Sequence, residues 1–259
     1  MQPPGMKPLA LLAALMLAAT LSASAAEKDA RIYLLTTIAA KPGKLEEVHS
    51  LIRDRLMPQV AKLGLPALGV FVPLENGAER VVCVNAFASP EAAAKAKEAI
   101  DDDAGMKAGL AKLGELTDDS REEPQRVMTA TDFSPAVAVA AGKGARVFEL
   151  RTYTATPGNL PLLHARFRDH TLGLFARHGM TNLWYWQLAK DQAGADNTLV
   201  YLLAHASTEA AKASFDAFRA DPEWIAAKAA SEAKGGGSLT VPDGVKSVFL
   251  KATDYSPLK

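Results

Sequence analysis

The sequence predicts an α+β protein built from two ferredoxin-like units in tandem, packed sheet to sheet as a pseudo-dimer within one chain. Three observations predict it. "RIYLLTTIAAKPGKL", from Arg31, returns 115 residues later as "RVFELRTYTATPGNL", from Arg146. "FASPEAAAKAKEA" from Phe87 returns as "HASTEAAKASFDA" from His205, and "TDFSP" at Thr131 returns as "TDYSP" at Thr253. Ordered matches with a small drift between them are what a duplication with loop insertions leaves behind.

Each copy changes its hydrophobic period in the same order. Ile32 to Ile38 alternate on a strand period. After Pro42-Gly43, the residues Leu45, Val48, Leu51, Ile52, Leu56 and Val60 follow helical spacing, and Gly64 serves as C-terminal cap. "LGVFVPL" and "RVVCVNAF" read as two strands joined by a turn at Asn76-Gly77. Ser89-Pro90 is an N-cap followed by proline at the first helical position, and the helix runs to about Leu113. "QRVMTATDFS" is the fourth strand. The second copy repeats this order: a strand at Val147, a helix from about Asn159 to Arg177, strands at "NLWYWQL" and "TLVYLLAHA", a helix after Ser207 and a strand at "KSVFLKATDY". Strand, helix, two strands, helix, strand gives an antiparallel sheet with both helices on one face. The bare faces of two such sheets can cover each other and close into a barrel with the helices outside.

With 49% hydrophobic and 22% charged residues, the chain has globular composition. Its 29 basic and 29 acidic side chains cancel, which argues against nucleic acid as a partner. Residues 1–26 show Lys7, an apolar run from Leu9 to Leu21 and small residues up to Ala25 and Ala26. That order is expected of a secretory signal peptide, and it predicts an exported, periplasmic or secreted protein with no membrane attachment after cleavage. The remaining boundaries are a first repeat at 27–135, a small-residue linker at 136–145 and a second repeat at 146–259. Cys83, the one cysteine, sits in an apolar strand and is expected to be inert.

The copies differ where chemistry would be written. Glu149, Arg151 and Tyr153 replace Leu34, Thr36 and Ile38, and Tyr201 and His205 replace Cys83 and Phe87. All fall on one face of their strands. The expectation is that Phe148, Leu150 and Thr152 cover the helices while Glu149, Arg151 and Tyr153 project into a space between the two sheets. Buried ionisable groups imply either a satisfied internal network or a cavity that receives something polar. Trp184, Tyr185 and Trp186 alternate, so one side of that strand can add a flat apolar wall, which singles out Trp186.

The second copy resembles the NIPSNAP family. The resemblance rests on "ELRTYT" from Glu149, Pro157-Gly158, His170 before "LGLFARHG", "WYW" at Trp184 and "ADPEW" ending at Trp224. It covers residues 146 to 259, and residues 31 to 135 read as a degenerate copy. It implies the dimeric α+β barrel superfamily and carries over no catalytic residue.

Together these readings give an exported protein that binds a small anionic or aromatic ligand between its sheets, with Arg151, Tyr153, Trp186 and Tyr201 as ligand-binding residues. One alternative is a cofactor-independent oxygenase or isomerase of the same barrel class, with His205 or Glu149 as proton acceptor and Arg151 stabilising the oxyanion. Another is a partner-binding scaffold. No cofactor is expected, haem entering by fold analogy alone. No metal is expected either, because His170 and His178 lack ligand spacing and further donors. The chain is expected to act as a monomeric pseudo-dimer or a homodimer.

Overall fold

The structure, a computed structural model, describes residues 29–75, 78–118, 120, 123, 125–135 and 146–259. The expected signal peptide, the Asn76-Gly77 turn and the 136–145 linker lie outside the described residues.

The first copy comprises β1 (Ile32–Ala39), a long helix α1, β2 (Gly69–Pro73), β3 (Arg80–Phe87), α2 (Pro90–Asp102), α3 (Ala104–Leu116) and β4 (Arg126–Ala130). The second comprises β5 (Val147–Ala155), a long helix α4, β6 (Thr181–Leu188), β7 (Thr198–His205), α5 (Thr208–Ala220), α6 (Pro222–Gly235) and β8 (Thr240–Ala252). Both long helices contain a π-helical turn at equivalent positions. α1 runs as Leu45–Leu51, π at Ile52–Leu56 and Met57–Lys62; α4 runs as Leu160–Arg166, π at Phe167–Thr171 and Leu172–Arg177. The second helix of each copy starts where Ser89 and Ser207 accept the N–H of Ala92 and Ala210, at 3.2 and 3.1 Å. It is then interrupted. Asp103 and Asp221 adopt extended backbone, and their carboxylates cap a further helix through Met106 N and Glu223 N, both at 2.8 Å.

The strands form a closed barrel in the order β1-β3-β2-β8-β5-β7-β6-β4. Within each copy the sheet order is that of a ferredoxin-like unit, and two antiparallel seams join the copies. β2 pairs with β8 through Phe71↔Ala252, and β4 pairs with β6 through Ala130↔Trp186. Closure removes the unpaired edges that a single four-stranded sheet would expose.

The repeated Thr-Asp-aromatic-Ser-Pro segment closes each seam from the other side. Following β4, Thr131 Oγ1 donates to the Tyr185 carbonyl at 3.2 Å and Ser134 Oγ accepts the Tyr185 N–H at 3.0 Å. Following β8, Thr253 and Ser256 do the same to Val70, at 3.2 and 3.0 Å. Each copy thus grips the second strand of the other copy. The motif's aromatic residue continues the grip onto the long helix: Tyr255 OH lies 2.7 Å from His49 Nδ1, and Phe133 meets the His164 ring edge-on at 5.4 Å. His49 and His164, which lie 115 residues apart at equivalent positions of the two copies, thus share a packing role.

An eight-stranded barrel is just wide enough for its inward side chains to fill it, and here they fill its middle. Tyr33, Phe71, Met128, Phe148, Trp184 and Trp186 are all essentially without solvent exposure in one cluster drawn from both copies. Trp184 and Trp186 stack with ring centroids 6.0 Å apart, Trp186 meets Tyr33 at 5.4 Å, and Phe71 meets Phe148 at 5.0 Å. The facing expected from the sequence is therefore reversed. Phe148 and Leu150 pack in the barrel core, with Val200, Leu202 and Ala204 of β7. The alternate row, Glu149, Arg151 and Tyr153, points outward beneath the helices of the second copy. The physical reason is that the middle of the barrel is the drier and narrower compartment, so the row of β5 without ionisable side chains goes there.

Trp186→Ala removes one of the largest side chains from this interior. It should lower the unfolding free energy by about 3–5 kcal/mol in a urea titration; a loss below about 1 kcal/mol would mean that the interior is loosely packed or wet.

Candidate functional site

Between the sheet and the helices of the second copy, the outward row of β5 meets that of β7. Glu149 is 1% exposed. One carboxylate oxygen accepts from the Arg151 guanidinium and, at 2.5 Å, from Ser247 Oγ on β8. The other lies 3.0 Å from His205 Nε2. Arg151 also donates to Tyr153 OH at 3.2 Å and sits 4.6 Å above the Phe215 ring of α5. The β5–β7 register puts Arg151 opposite Tyr201 and Val147 opposite His205. Tyr201 stacks on Tyr185 at 5.0 Å and packs against Phe167 at 5.3 Å. Strand alternation alone brings these residues onto one face.

Electrostatics in this layer favour the ionised pair. Burial raises the Glu149 pKa, but hydrogen bonding from His205, the Arg151 charge and the Ser247 hydroxyl outweigh it and hold the carboxyl below its ordinary value. Burial works against the Arg151 charge as well, yet the Tyr201 and Tyr153 oxygens and Glu149 keep its pKa raised. The Glu149–Arg151 charges are thus paired with each other, although Arg151 Nε, Tyr201 OH and His205 Nδ1 have no partner among the described residues.

Among the described residues, the equivalent layer of the first copy has no such network. Leu34, Thr36, Ile38, Cys83 and Phe87 instead line an apolar cavity of about 280 Å³ beneath α1 and α3. Cys83 has its thiol pKa pushed up to about 12 by burial, in keeping with an inert thiol.

Next to the Glu149–Arg151 network, the second copy keeps a cavity of its own, also about 280 Å³. Tyr153 of β5, Phe167 and Thr171 of the π turn, Phe218 of α5 and Trp224 of α6 form much of its wall. Arg166, the last residue before the π turn, lines it too and is only 6% exposed. Its guanidinium lies 5.2 Å over the Trp224 ring and 3.4 Å from Ser231 Oγ; Glu232 is 3.9 Å away, and Nε has no partner among the described residues. Burial lowers the Arg166 pKa, with Glu232 opposing. Arg166 is thus a buried cation with incomplete compensation on the wall of an aromatic cleft.

The residues singled out in the sequence are therefore divided. Glu149, Arg151, Tyr153, Tyr201 and His205 come together, but in the sheet–helix layer rather than between the sheets. Trp186 stands on the opposite face of the barrel wall, fully buried beside Trp184. Trp224, the last residue of the "ADPEW" stretch, packs on Phe218 at 4.4 Å and also walls the cleft. Arg166 was not singled out, although an arginine three residues after Leu163 in an apolar helical stripe is a legible signal. Among the described residues, no group of three or more His, Cys, Asp or Glu side chains could hold a metal ion.

Glu149→Leu leaves the Arg151 charge buried without its partner and should cost about 3–5 kcal/mol in urea unfolding. Combining it with Arg151→Thr, which restores the Leu34–Thr36 pair of the first copy, should recover most of that loss; additive losses would show the pair to be uncoupled. Because the Glu149 pKa is depressed on folding, its contribution is present above pH 4.5 and lost as pH falls through the folded value. The double variant should accordingly lose less stability on acidification than the parent protein.

Comparison with known proteins follows the same division. Residues 148–257 match the sequence profile of the NIPSNAP family. No curated protein matches the chain. Among solved structures, a candidate monooxygenase from Fusobacterium nucleatum superposes with a TM-score of 0.56 at 10% identity, covering 86% of this chain and 92% of its own. A second candidate monooxygenase, from Lactobacillus acidophilus, gives 0.52 at 11% identity, covering 86% and 94%. These two likenesses establish the fold alone. A NIPSNAP family protein from Agrobacterium tumefaciens is 25% identical over 41% of this chain and 99% of its own, with a TM-score of 0.37. Over residues 148–257 the chain is thus similar to the NIPSNAP family, and with the preceding repeat this half completes a closed eight-stranded barrel.

Proposed function

We propose that the protein is an exported binding protein for a small aromatic anion, and that the ligand occupies the cleft between sheet and helices in the NIPSNAP half. The observation that carries this reading is Arg166, buried on the cleft wall with no carboxylate closer than 3.9 Å among the described residues. A buried cation with weak compensation is costly unless an anion completes it. The rings of Tyr153, Phe167, Phe218 and Trp224 supply flat apolar walls for the rest of the ligand. Arg151, which the sequence suggested as the anchor, supports the site differently: its charge is matched by Glu149, and it fixes the Tyr153 hydroxyl on the cleft wall.

The proton-transfer reading draws less support. His205 is fully buried, and its Nε2 is engaged with Glu149 at 3.0 Å, so a substrate in the cleft would meet Tyr153 and Arg166 before it met His205.

Fluorescence titration with 1-hydroxy-2-naphthoate tests the proposal. Trp184 and Trp186 are sealed in the barrel and Trp224 alone lines the cleft, so binding should quench Trp224 emission and the signal should vanish in Trp224→Phe. Arg166→Met should weaken binding about tenfold or more. Unchanged affinity in Arg166→Met, with the fold intact by circular dichroism, would refute the assignment.

A further inference from the structure

The barrel is filled through its middle but not to its rim. At one end, side chains from both copies enclose a cavity of about 420 Å³. It lies on the inner face of the sheet, whereas the Arg166 cleft lies on the outer face. Its floor is Leu35, Val82, Leu150 and Val248, continuous with the packed interior. Its rim carries Arg80 at the start of β3, Arg126 at the start of β4 and Lys246 on β8. Arg126 donates to Thr152 Oγ1 at 2.9 Å, and the β5–β8 register sets Lys246 beside Thr152. The first copy thus contributes two cations and the second copy the third.

Among the described residues that line this cavity, Glu123 is the one carboxylate. It reaches Arg80 at 3.3 Å and Arg126 at 3.6 Å, with 47% of its side chain exposed. Exposed bridges of that length contribute little and are readily exchanged for another anion. Three cations facing one loosely held carboxylate make the rim positive, and the low-dielectric barrel wall beneath focuses that field. The gradient from charged rim to apolar floor runs along the barrel axis. A bare inorganic anion would leave the floor uncovered, and a neutral lipid would leave the rim unanswered.

We propose that this rim binds the carboxylate of a small amphipathic organic acid, with the apolar body of that acid resting on the Leu35, Val82, Leu150 and Val248 floor. Because the rim needs side chains from both copies, the site exists only in the closed tandem barrel. It is separate from the cleft of the second copy, and its success or failure does not depend on Arg166.

Isothermal titration of the full chain with decanoate, with decanol as the neutral control, tests it. Decanoate should bind, and decanol should bind about tenfold more weakly or worse. Lys246→Glu and Arg126→Gln should each weaken decanoate about tenfold or more, while Arg166→Met should leave it unchanged. Lys246 is exposed, so its replacement does not disturb packing, and circular dichroism confirms the fold of Arg126→Gln. Absence of decanoate binding by the folded parent, equal binding of decanol, or undiminished binding by Lys246→Glu would overturn the proposal. Loss of decanoate in Arg166→Met with both rim variants unaffected would overturn it too, by placing the anion in the cleft.

Discussion

Closing eight strands into one barrel commits one row of every strand to the inside, and the remaining features of this protein follow from which row that is. At mid-barrel the inward rows of both copies are apolar and fill the interior, so Trp184 and Trp186 can stack there. The ionisable residues that distinguish the second copy on β5 and β7 are thereby displaced to the opposite face. In the first copy that face covers an apolar hollow; in the second it carries Glu149, Arg151, Tyr153, Tyr201 and His205 under the helices. The duplication preserved the barrel and left the two sheet–helix layers free to diverge.

The reciprocal grip of the Thr-Asp-aromatic-Ser-Pro segments makes that division durable. Each segment satisfies the backbone N–H and carbonyl of one residue in a strand belonging to the other copy. Buried backbone groups left without partners are costly, so separating the copies would expose both seams and break both grips at once. The aromatic residue of each segment also reaches the long helix of the opposite copy, through His49 or through the ring of His164. Seams and grips in this way tie the helices of each copy to the strands of the other.

Much of this was legible in the sequence, and the limits have physical causes. The repeat, the strand and helix order and the Ser89 and Ser207 caps follow from local periodicity and capping chemistry, which act over a few residues. The side of the sheet to which Glu149 points does not. Alternation separates two rows but names neither, and when both faces of a strand are covered, as in β7 where every residue is buried, hydropathy gives no further sign. The π turns are likewise silent in sequence, because one extra residue per turn depends on tertiary packing rather than on local propensity. One of them sets Arg166 and Phe167 on the cleft wall. The breaks at Asp103 and Asp221 were readable in principle, since an acidic cap ahead of a new apolar stripe is a start signal.

The most direct test of the account is the direction of the β7 tyrosine. In a protein with labelled aromatic residues, nuclear Overhauser contacts of the Tyr201 ring should connect it to Phe167, 5.3 Å away on α4, and to Tyr185 at 5.0 Å. Contacts from Tyr201 to Trp184 or Trp186 instead would place the polar row inside the barrel and contradict the arrangement on which the candidate site is built.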